Sequence, residues 1–349
     1  MPIPPTTPQP SDLPLLSTMS VGSYAIPGWM HLFRQHMHEA AAPMDVAEAF
    51  EDATRLAIAD QVEAGVDIIS DGELRRQRFV YEMYDRISGI TRQQRSRKLG
   101  VPGYDMAPKF LATDRVDARE GLGLVQEYQD LARLAPGRQL KIAVPGPLTF
   151  ASNILPHPHY DGADGLMDDI VMMLRAEVEA LRLAGAQLIQ IDEPGLTHIP
   201  AERSLDEAAN CINQVTRGLS AQTAVHICFG NNASRPYSPR GMARLLGAMD
   251  QLETHMLVLE FANREMAELE ILSSLSARYQ IAAGVIDVKS FHEETAEDVA
   301  ARIRLVLRYV PADKLTITAD CGFSAIPRWL ARHKMVAMVA GARLVRDEL

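Results

Sequence analysis

Cysteine is scarce in this chain, with three in 349 residues, and so few thiols cannot build the disulfide framework of a small secreted protein. No apolar run approaches the length of a membrane span, and the first residues, MPIPPTTPQPSDLP, lack the basic start and apolar stretch of a signal peptide. Positive charge is also in deficit: the net charge of −10 argues against a nucleic-acid-binding surface. We therefore expect a cytoplasmic protein that binds neither membranes nor nucleic acid.

Eight short apolar runs alternate with amphipathic segments of helical period. The runs lie at about 18–23, 66–73, 140–147, 186–194, 223–230, 255–262, 280–288 and 314–323. Nearly continuous hydrophobic runs are typical of strands buried on both faces, and a repeated strand-then-helix order implies a parallel sheet. The sequence predicts an α/β fold, a closed (β/α)8 TIM barrel, as a single domain over residues 15–349. An insertion follows the second strand, and residues 1–14 are expected to form an N-terminal arm.

Metal-ligand side chains follow three of the later runs, where a barrel of this kind places its catalytic groups. They are His226 and Cys228 in AVHICFG, Glu260 in MLVLEFAN and Cys321 in TITADCGF. Two residues apart on a strand, the first two point the same way, and the whole set is one that tetrahedral zinc prefers. Buried thiols with a core histidine remain the alternative. Cys211, in a helical segment, is expected to be a buried small hydrophobe.

Eight short motifs, including the three that hold these side chains, fall at or near successive strand ends in a recognisable order between residues 20 and 346. They are VGS (21–23), DGE (71–73), PGPLT (145–149), IQIDEP (189–194), HICF (226–229), LEFAN (259–263), GVIDVKS (284–290) and ADCGF (319–323). Together they resemble the successive signatures of the C-terminal catalytic domain of cobalamin-independent methionine synthase.

The resemblance implies a zinc enzyme that transfers a methyl group to homocysteine to give methionine. It assigns the zinc to the four side chains named above, and the amino-acid part of homocysteine to Ser23, Glu73 and Asp192. This assignment is chemically sensible, because an ammonium group needs carboxylates and a carboxylate needs hydroxyl and backbone N–H donors.

The chain departs from the family pattern on the side of the methyl donor. No segment could supply the N-terminal domain of full-length members, and the folate-stacking Trp expected soon after PGPLT is missing. Lys289 stands where methionine synthases carry a His that helps protonate the leaving group. Lys289 or Asp287 could handle that proton, whereas a structural salt bridge from Lys289 to Asp287 or Glu260 is the alternative. We expect a donor other than, or in addition to, methyl-folate, such as a methylcorrinoid protein.

Other functions stay open at this point. The enzyme could transfer a larger alkyl group, as epoxyalkane:coenzyme M transferases do, or resemble the uroporphyrinogen decarboxylases that share the barrel. A non-catalytic zinc- or thiol-binding module is the candidate from outside enzymology. Residues 75–98 hold eight basic and two acidic side chains, which predicts either a surface for an anionic ligand or a solvated face.

Overall fold

A computed structural model describes residues 13–34, 41–76, 80–94, 109–156, 160, 163–199, 203–231 and 238–349. The main sheet consists of seven parallel strands. In spatial order they are β1 (Ile68–Ile69), β4 (Gln139–Pro145), β6 (Leu188–Asp192), β7 (Gln222–Ile227), β8 (Met256–Glu260), β9 (Gln280–Ile286) and β10 (Leu315–Ala319).

Residues 18 and 19 close this sheet into a barrel. Thr18 forms a parallel bridge with Ile317 of β10, and Met19 forms one with Ile68 of β1. Backbone hydrogen bonds run across both seams, from Met19 to the Ile317 carbonyl and from Ile68 to the Thr18 carbonyl, each at 3.0 Å. The first predicted strand is therefore present as a short bridging segment, and the predicted (β/α)8 barrel is confirmed.

Helices cover the outside of the barrel between the strands. They are α1 (Gly28–Leu32), α2 (Pro43–Ala64), α3 (Tyr81–Tyr84), α4 (Leu124–Leu134), α5 (Pro147–Ala151), α6 (Ala163–Leu183), α7 (Leu205–Thr216), α8 (Leu246–Met249), α9 (Leu272–Arg278), α10 (Ala296–Val306) and α11 (Arg328–Arg346). Capping boxes at Ser204 and Thr295 begin α7 and α10. Within the described ranges, no helix is long and apolar enough to cross a membrane.

A second, three-stranded sheet is formed by β2 (Ser88–Arg92), β3 (Phe110–Asp117) and β5 (Ile154–Leu155). β2 and β3 lie between β1 and β4 in the chain, where the insertion is expected, and they pair antiparallel. The division into an arm at residues 1–14 and a barrel at 15–349 stays a prediction, since residues 1–12 lie outside the described residues.

Alternating side chains along the strands face opposite ways, and this sets the position of the site. One small apolar cluster holds Met19, Val21, Ile68, Leu188, Ala224, Met256, Val258 and Ala282, whereas the residues between them belong to the large core under the helices. The small cluster therefore fills the barrel interior. Continuing the same alternation brings Asp192, His226 and Glu260 to the inner face at the C-terminal strand ends.

Closure of the barrel depends on Asp67, next to β1. Its Oδ2 accepts hydrogen bonds from the Thr18 backbone N–H at 2.8 Å and from the Thr18 hydroxyl at 2.9 Å. We expect Asp67→Ala to lower the free energy of unfolding by about 1–3 kcal/mol, because two donors lose their acceptor. Urea unfolding measures the change. Asp52→Ala, at an exposed position of α2, is the control, and equal losses in the two variants would contradict this role.

Candidate metal and substrate site

Every residue predicted for the site lies at the C-terminal end of the barrel. Ser23 follows the bridging segment and Glu73 follows β1, whereas Asp192 and Glu260 end β6 and β8. His226 lies in β7 with Cys228 just after it, Asp287 and Lys289 follow β9, and Cys321 follows β10. The alternation of strand and helix has thus brought together side chains that are up to 298 positions apart, from Ser23 to Cys321.

Three of the four predicted metal ligands meet at one point. The ligand atoms of His226, Cys228 and Cys321 all lie within 4.8 Å of one another, and the two sulfur atoms are 3.6 Å apart. The Nε2 atom of His226 is buried and has no hydrogen-bond partner among the described residues. A buried nitrogen without a partner, beside two thiols, fits a zinc ion because zinc binds imidazole and thiolate ligands.

Hydrogen bonds orient the histidine of this trio. Its Nδ1 lies 3.1 Å from Oδ1 of Asp192, and Gln190 donates to the same oxygen at 2.6 Å. An Nδ1–H that donates to a carboxylate leaves the Nε2 lone pair for a metal, the usual arrangement behind a zinc-binding histidine. Asp192 therefore contacts the trio directly as well as lying where a substrate ammonium is expected.

The two sulfur atoms differ in acidity. A hydrogen bond from Cys228 lowers the pKa of Cys321 to about 7, with further lowering from His226 and Lys289 and an opposing effect of burial. The same hydrogen bond raises the pKa of Cys228, and burial raises it further. The pair is thus ready to give up its first proton near neutral pH, and a metal ion would favour loss of the second.

The fourth predicted ligand, Glu260, lies beside the trio but pairs with Lys289. Its Oε2 accepts from the Lys289 ammonium at 2.6 Å and from the Phe229 backbone N–H at 3.2 Å. Its Oε1 is buried, and no hydrogen-bond partner for it occurs in the described part of the chain. Both side chains are at most 1% exposed. The salt bridge that the sequence left open is therefore present, with Glu260 as the partner.

The Lys289 ammonium is strongly favoured in its charged form. Burial lowers the pKa of Lys289, but Glu260, Cys321 and Asp320 outweigh it, so that the pKa is raised overall. Asp287 instead holds the loop, accepting from the backbone N–H of Lys289 at 2.8 Å and from the Asn263 side chain at 3.1 Å. The catalytic roles of Lys289 and Asp287 stay predictions.

Asp320 is a positioning residue that sequence reasoning missed. Its carboxylate accepts from three successive backbone N–H groups directly after Glu260, those of residues 261, 262 and 263, at 2.5–2.9 Å. Gly284 leaves it room, because a Cβ there would lie 2.5 Å from Oδ1. Since Asp320 precedes Cys321, one side chain fixes two predicted ligands relative to each other. Its position next to a strand-end cysteine was the available signal.

Buried carboxylates line the predicted substrate side of the site. The pKa of Glu73 is raised to about 8, chiefly by burial, with Arg76 opposing the rise and Asp192 and Asp71 adding to it. The Oε1 of Glu73 lies against the backbone at Gly22, where a Cβ would be 2.3 Å away. Ser23 is next in the chain, and its hydroxyl is 3.4 Å from that of Ser324. Excess buried negative charge of this kind is suited to a cationic ligand group.

Lys141 supports this pocket from inside the barrel and was also missed. It is fully buried, and its ammonium donates to the carbonyls of Ser20 and Val21 at 2.5 and 2.6 Å and to Gln190 at 2.8 Å. Burial lowers the pKa of Lys141 to about 8, against the opposing charges of Asp192 and Glu73. A lone charge inside the apolar run LKIAVP was the available signal.

The basic stretch 75–98 is largely neutralised where the structure describes it. Arg76 is buried and pairs with Glu127 at 2.8 Å, and Arg92 pairs with Asp85 at 2.9 Å. Residues 77–79 and 95–98 lie outside the described residues. These pairs favour a structural role for the described part over a surface for an anionic ligand.

The family model for the catalytic domain of cobalamin-independent synthase matches residues 16–344. The chain belongs to this family. The resemblance inferred from eight short motifs is therefore confirmed over most of the sequence, and the match argues against the uroporphyrinogen decarboxylase alternative.

Named relatives agree with this assignment. A methionine synthase of Saccharolobus solfataricus is 32% identical over 341 residues, which cover 97% of both chains. One of Sulfurisphaera tokodaii is 29% identical over 97% of this chain and 95% of its own. The solved structure of a B12-independent methionine synthase from Shewanella sp. W3-18-1, in complex with selenomethionine, is 28% identical, with a TM-score of 0.80 over 96% of this chain and 98% of that one.

Glu73 predicts a pH-dependent stability. A group whose pKa is raised on folding stabilises the protein below its unfolded value, here 4.5, and loses this contribution as the pH rises through about 8. We expect Glu73→Gln to gain stability relative to the wild type as the pH increases across that window. Urea unfolding from about pH 5 to about pH 9 measures it. Glu120→Gln, at an exposed position, is the control, and parallel profiles for all three proteins would contradict the burial effect.

Proposed function

We propose that this enzyme transfers a methyl group to the thiol of homocysteine, giving methionine, and that the reaction depends on zinc. The observation that carries the proposal is the position of the His226–Cys228–Cys321 trio beside a pocket of buried carboxylates at the same barrel end. In a member of the cobalamin-independent synthase family, this arrangement supplies both a thiol-activating centre and a site for the amino-acid part.

His226, Cys228 and Cys321 would hold the zinc ion, with Glu260 as an exchangeable fourth ligand. When bound, zinc would stabilise the substrate sulfur as a thiolate at neutral pH while lacking redox activity of its own. Asp192 would keep the imidazole in the tautomer that leaves Nε2 for the metal. Asp320 would hold Glu260 and Cys321 in fixed positions relative to each other. The chain thus prepares one position at which a thiol can be deprotonated.

Glu73 and Asp192 would bind the ammonium group of homocysteine, and Ser23 would donate to its carboxylate. An ammonium in this pocket would favour the charged form of Glu73, so binding would release the proton that the buried carboxyl otherwise retains. Coenzyme M carries a sulfonate and no ammonium, so it offers these carboxyl groups no cation to bind, and its negative charge would be disfavoured beside them. The charge of the pocket therefore supports homocysteine over the coenzyme M alternative.

Methionine synthase relatives support the same substrate. The Saccharolobus and Sulfurisphaera proteins carry that name, and the Shewanella structure was solved with selenomethionine, a close analogue of the product proposed here. Amino-acid binding at the barrel end would be the property shared with them.

The donor is proposed to be other than, or additional to, methyl-folate, with a methylcorrinoid protein as one candidate. Two observations support this: no Trp follows PGPLT at 145–149, and the position of the expected His holds Lys289. Because Lys289 is paired with Glu260, it would reach a leaving group as a proton donor only after that carboxylate has moved. Asp287 would serve chiefly by fixing the Lys289 backbone.

Zinc content and turnover test the metal ligands. We expect Cys228→Ala or Cys321→Ala to lower bound zinc to less than about a tenth of the wild-type stoichiometry and to abolish transfer, since each removes one of few ligands. Cys211→Ala is the matched control because that cysteine is buried on α7, outside the trio. Equal losses in all three variants would contradict the ligand assignment.

Product analysis by mass tests the substrate and the class of function. Offered methylcobalamin or methyl-folate, the zinc-loaded enzyme is expected to methylate homocysteine, and offered small epoxides it is expected to leave coenzyme M unreacted. Glu73→Gln is expected to raise KM for homocysteine by about tenfold or more, the loss of one charge-assisted contact, while retaining zinc. Binding of zinc and thiol without consumption of any donor would instead favour the non-catalytic module.

A further inference from the structure

Glu260 is held by a contact that competes with the role of a metal ligand. The carboxylate and the Lys289 ammonium are 2.6 Å apart and almost wholly buried. A buried ion pair resists separation, because removal of one partner leaves the other charge uncompensated. A carboxylate that shares its charge with such a partner binds a metal less tightly than an unpaired carboxylate would.

The other contacts of Glu260 leave one of its two oxygen atoms without a partner. Oε2 is also within 3.2 Å of the Phe229 backbone N–H, one residue from Cys228. The second oxygen is buried and has no hydrogen-bond partner in the ranges that the structure describes. Glu260 therefore lies next to the trio with one oxygen engaged by Lys289 and one available.

We propose that Lys289 receives Glu260 when the substrate thiol takes the place of this carboxylate at the metal. The inference rests on the proposed zinc-dependent function and concerns the exchange of ligands only. Without Lys289, the displaced carboxylate would be left charged in a buried site, which is unfavourable. With Lys289 the displaced carboxylate is neutralised, so the fourth position at the metal opens to a thiol at low free-energy cost.

Charge balance supports this role. A Zn²⁺ ion with Cys228 and Cys321 as thiolates and a neutral His226 carries no net charge, and the Glu260–Lys289 pair beside it is also neutral. Removing only the lysine charge leaves the buried carboxylate without its counter-ion, and coordination to the Zn²⁺ ion would then be its remaining source of compensation, which favours metal binding by Glu260. Lys289 thus sets how readily the fourth ligand leaves.

Metal titration of the zinc-free protein tests the proposal without requiring turnover. Zn²⁺ affinity is measured by competition with a chelator, and Co²⁺ reports coordination through its absorption bands. We expect Lys289→Met to bind Zn²⁺ about tenfold more tightly than the wild type, or about 1.4 kcal/mol. Its Co²⁺ spectrum should respond to homocysteine only at about tenfold higher thiol concentration, because Glu260 then holds the fourth position.

Three further variants separate the outcomes. Lys289→Arg keeps the charge and is expected to retain the wild-type thiol response. Adding Glu260→Gln to Lys289→Met should restore the wild-type thiol response, because the competing carboxylate is gone. Lys314→Met is the control: Lys314 lies just before β10, at the opposite end of the barrel, where its ammonium donates to the Ser276 carbonyl at 2.7 Å, and its loss should leave the Co²⁺ spectrum and thiol response unchanged.

Failure of this inference differs from failure of the proposed function. If the wild type binds Co²⁺ through thiolates but Lys289→Met matches it in Zn²⁺ affinity and thiol response, the role of Lys289 is overturned and the zinc site stands. A wild-type protein that binds neither ion through Cys228 and Cys321 overturns the zinc site itself. Loss of the thiol response in Lys314→Met would also overturn the inference, since a lysine at the opposite end of the barrel would then have the same effect.

Discussion

The arrangement of the site depends on the hydrogen bonds made by the Lys141 ammonium, which is buried inside the barrel. It binds two carbonyls of the segment just before Ser23, and through Gln190 it also reaches Asp192 and His226. A buried cation is tolerated only when its donors are satisfied and opposite charge is near. Here the nearby opposite charge belongs to Glu73 and Asp192. The carboxyl groups that are proposed to bind a substrate cation therefore also stabilise the Lys141 ammonium.

Separation of charge organises the rest of the barrel end. On the substrate side burial raises the pKa of Glu73 and of Asp71, and neighbouring carboxylates raise both pKa values further. The metal side pairs its carboxylate with Lys289 and keeps its thiols beside a histidine. Such a division would suit a ligand that carries an ammonium group and a thiolate a few bonds apart.

Much of this could be predicted from sequence, because periodicity and strand-end position are local signals. The eight apolar runs correspond to the barrel strands, and His226, Cys228 and Cys321 meet as their positions at strand ends indicated. The partner of Lys289 could not be chosen between Asp287 and Glu260, because both follow neighbouring strands and only side-chain direction decides. Lys141 and Asp320 were missed for a related reason: their partners are backbone groups of distant segments, which leave no pattern in the sequence.

The short first strand has a consequence for how the enzyme responds to an occupant. Thr18 and Met19 join the two ends of the sheet through single bridges, so this wall is held by fewer backbone contacts than its neighbours. Ser23 follows this bridging segment in the chain, and Glu73 follows β1, the strand beside it. A molecule bound by both side chains would link the two sides of this part of the barrel wall. The difference in rigidity between the empty and the occupied enzyme would then be largest there.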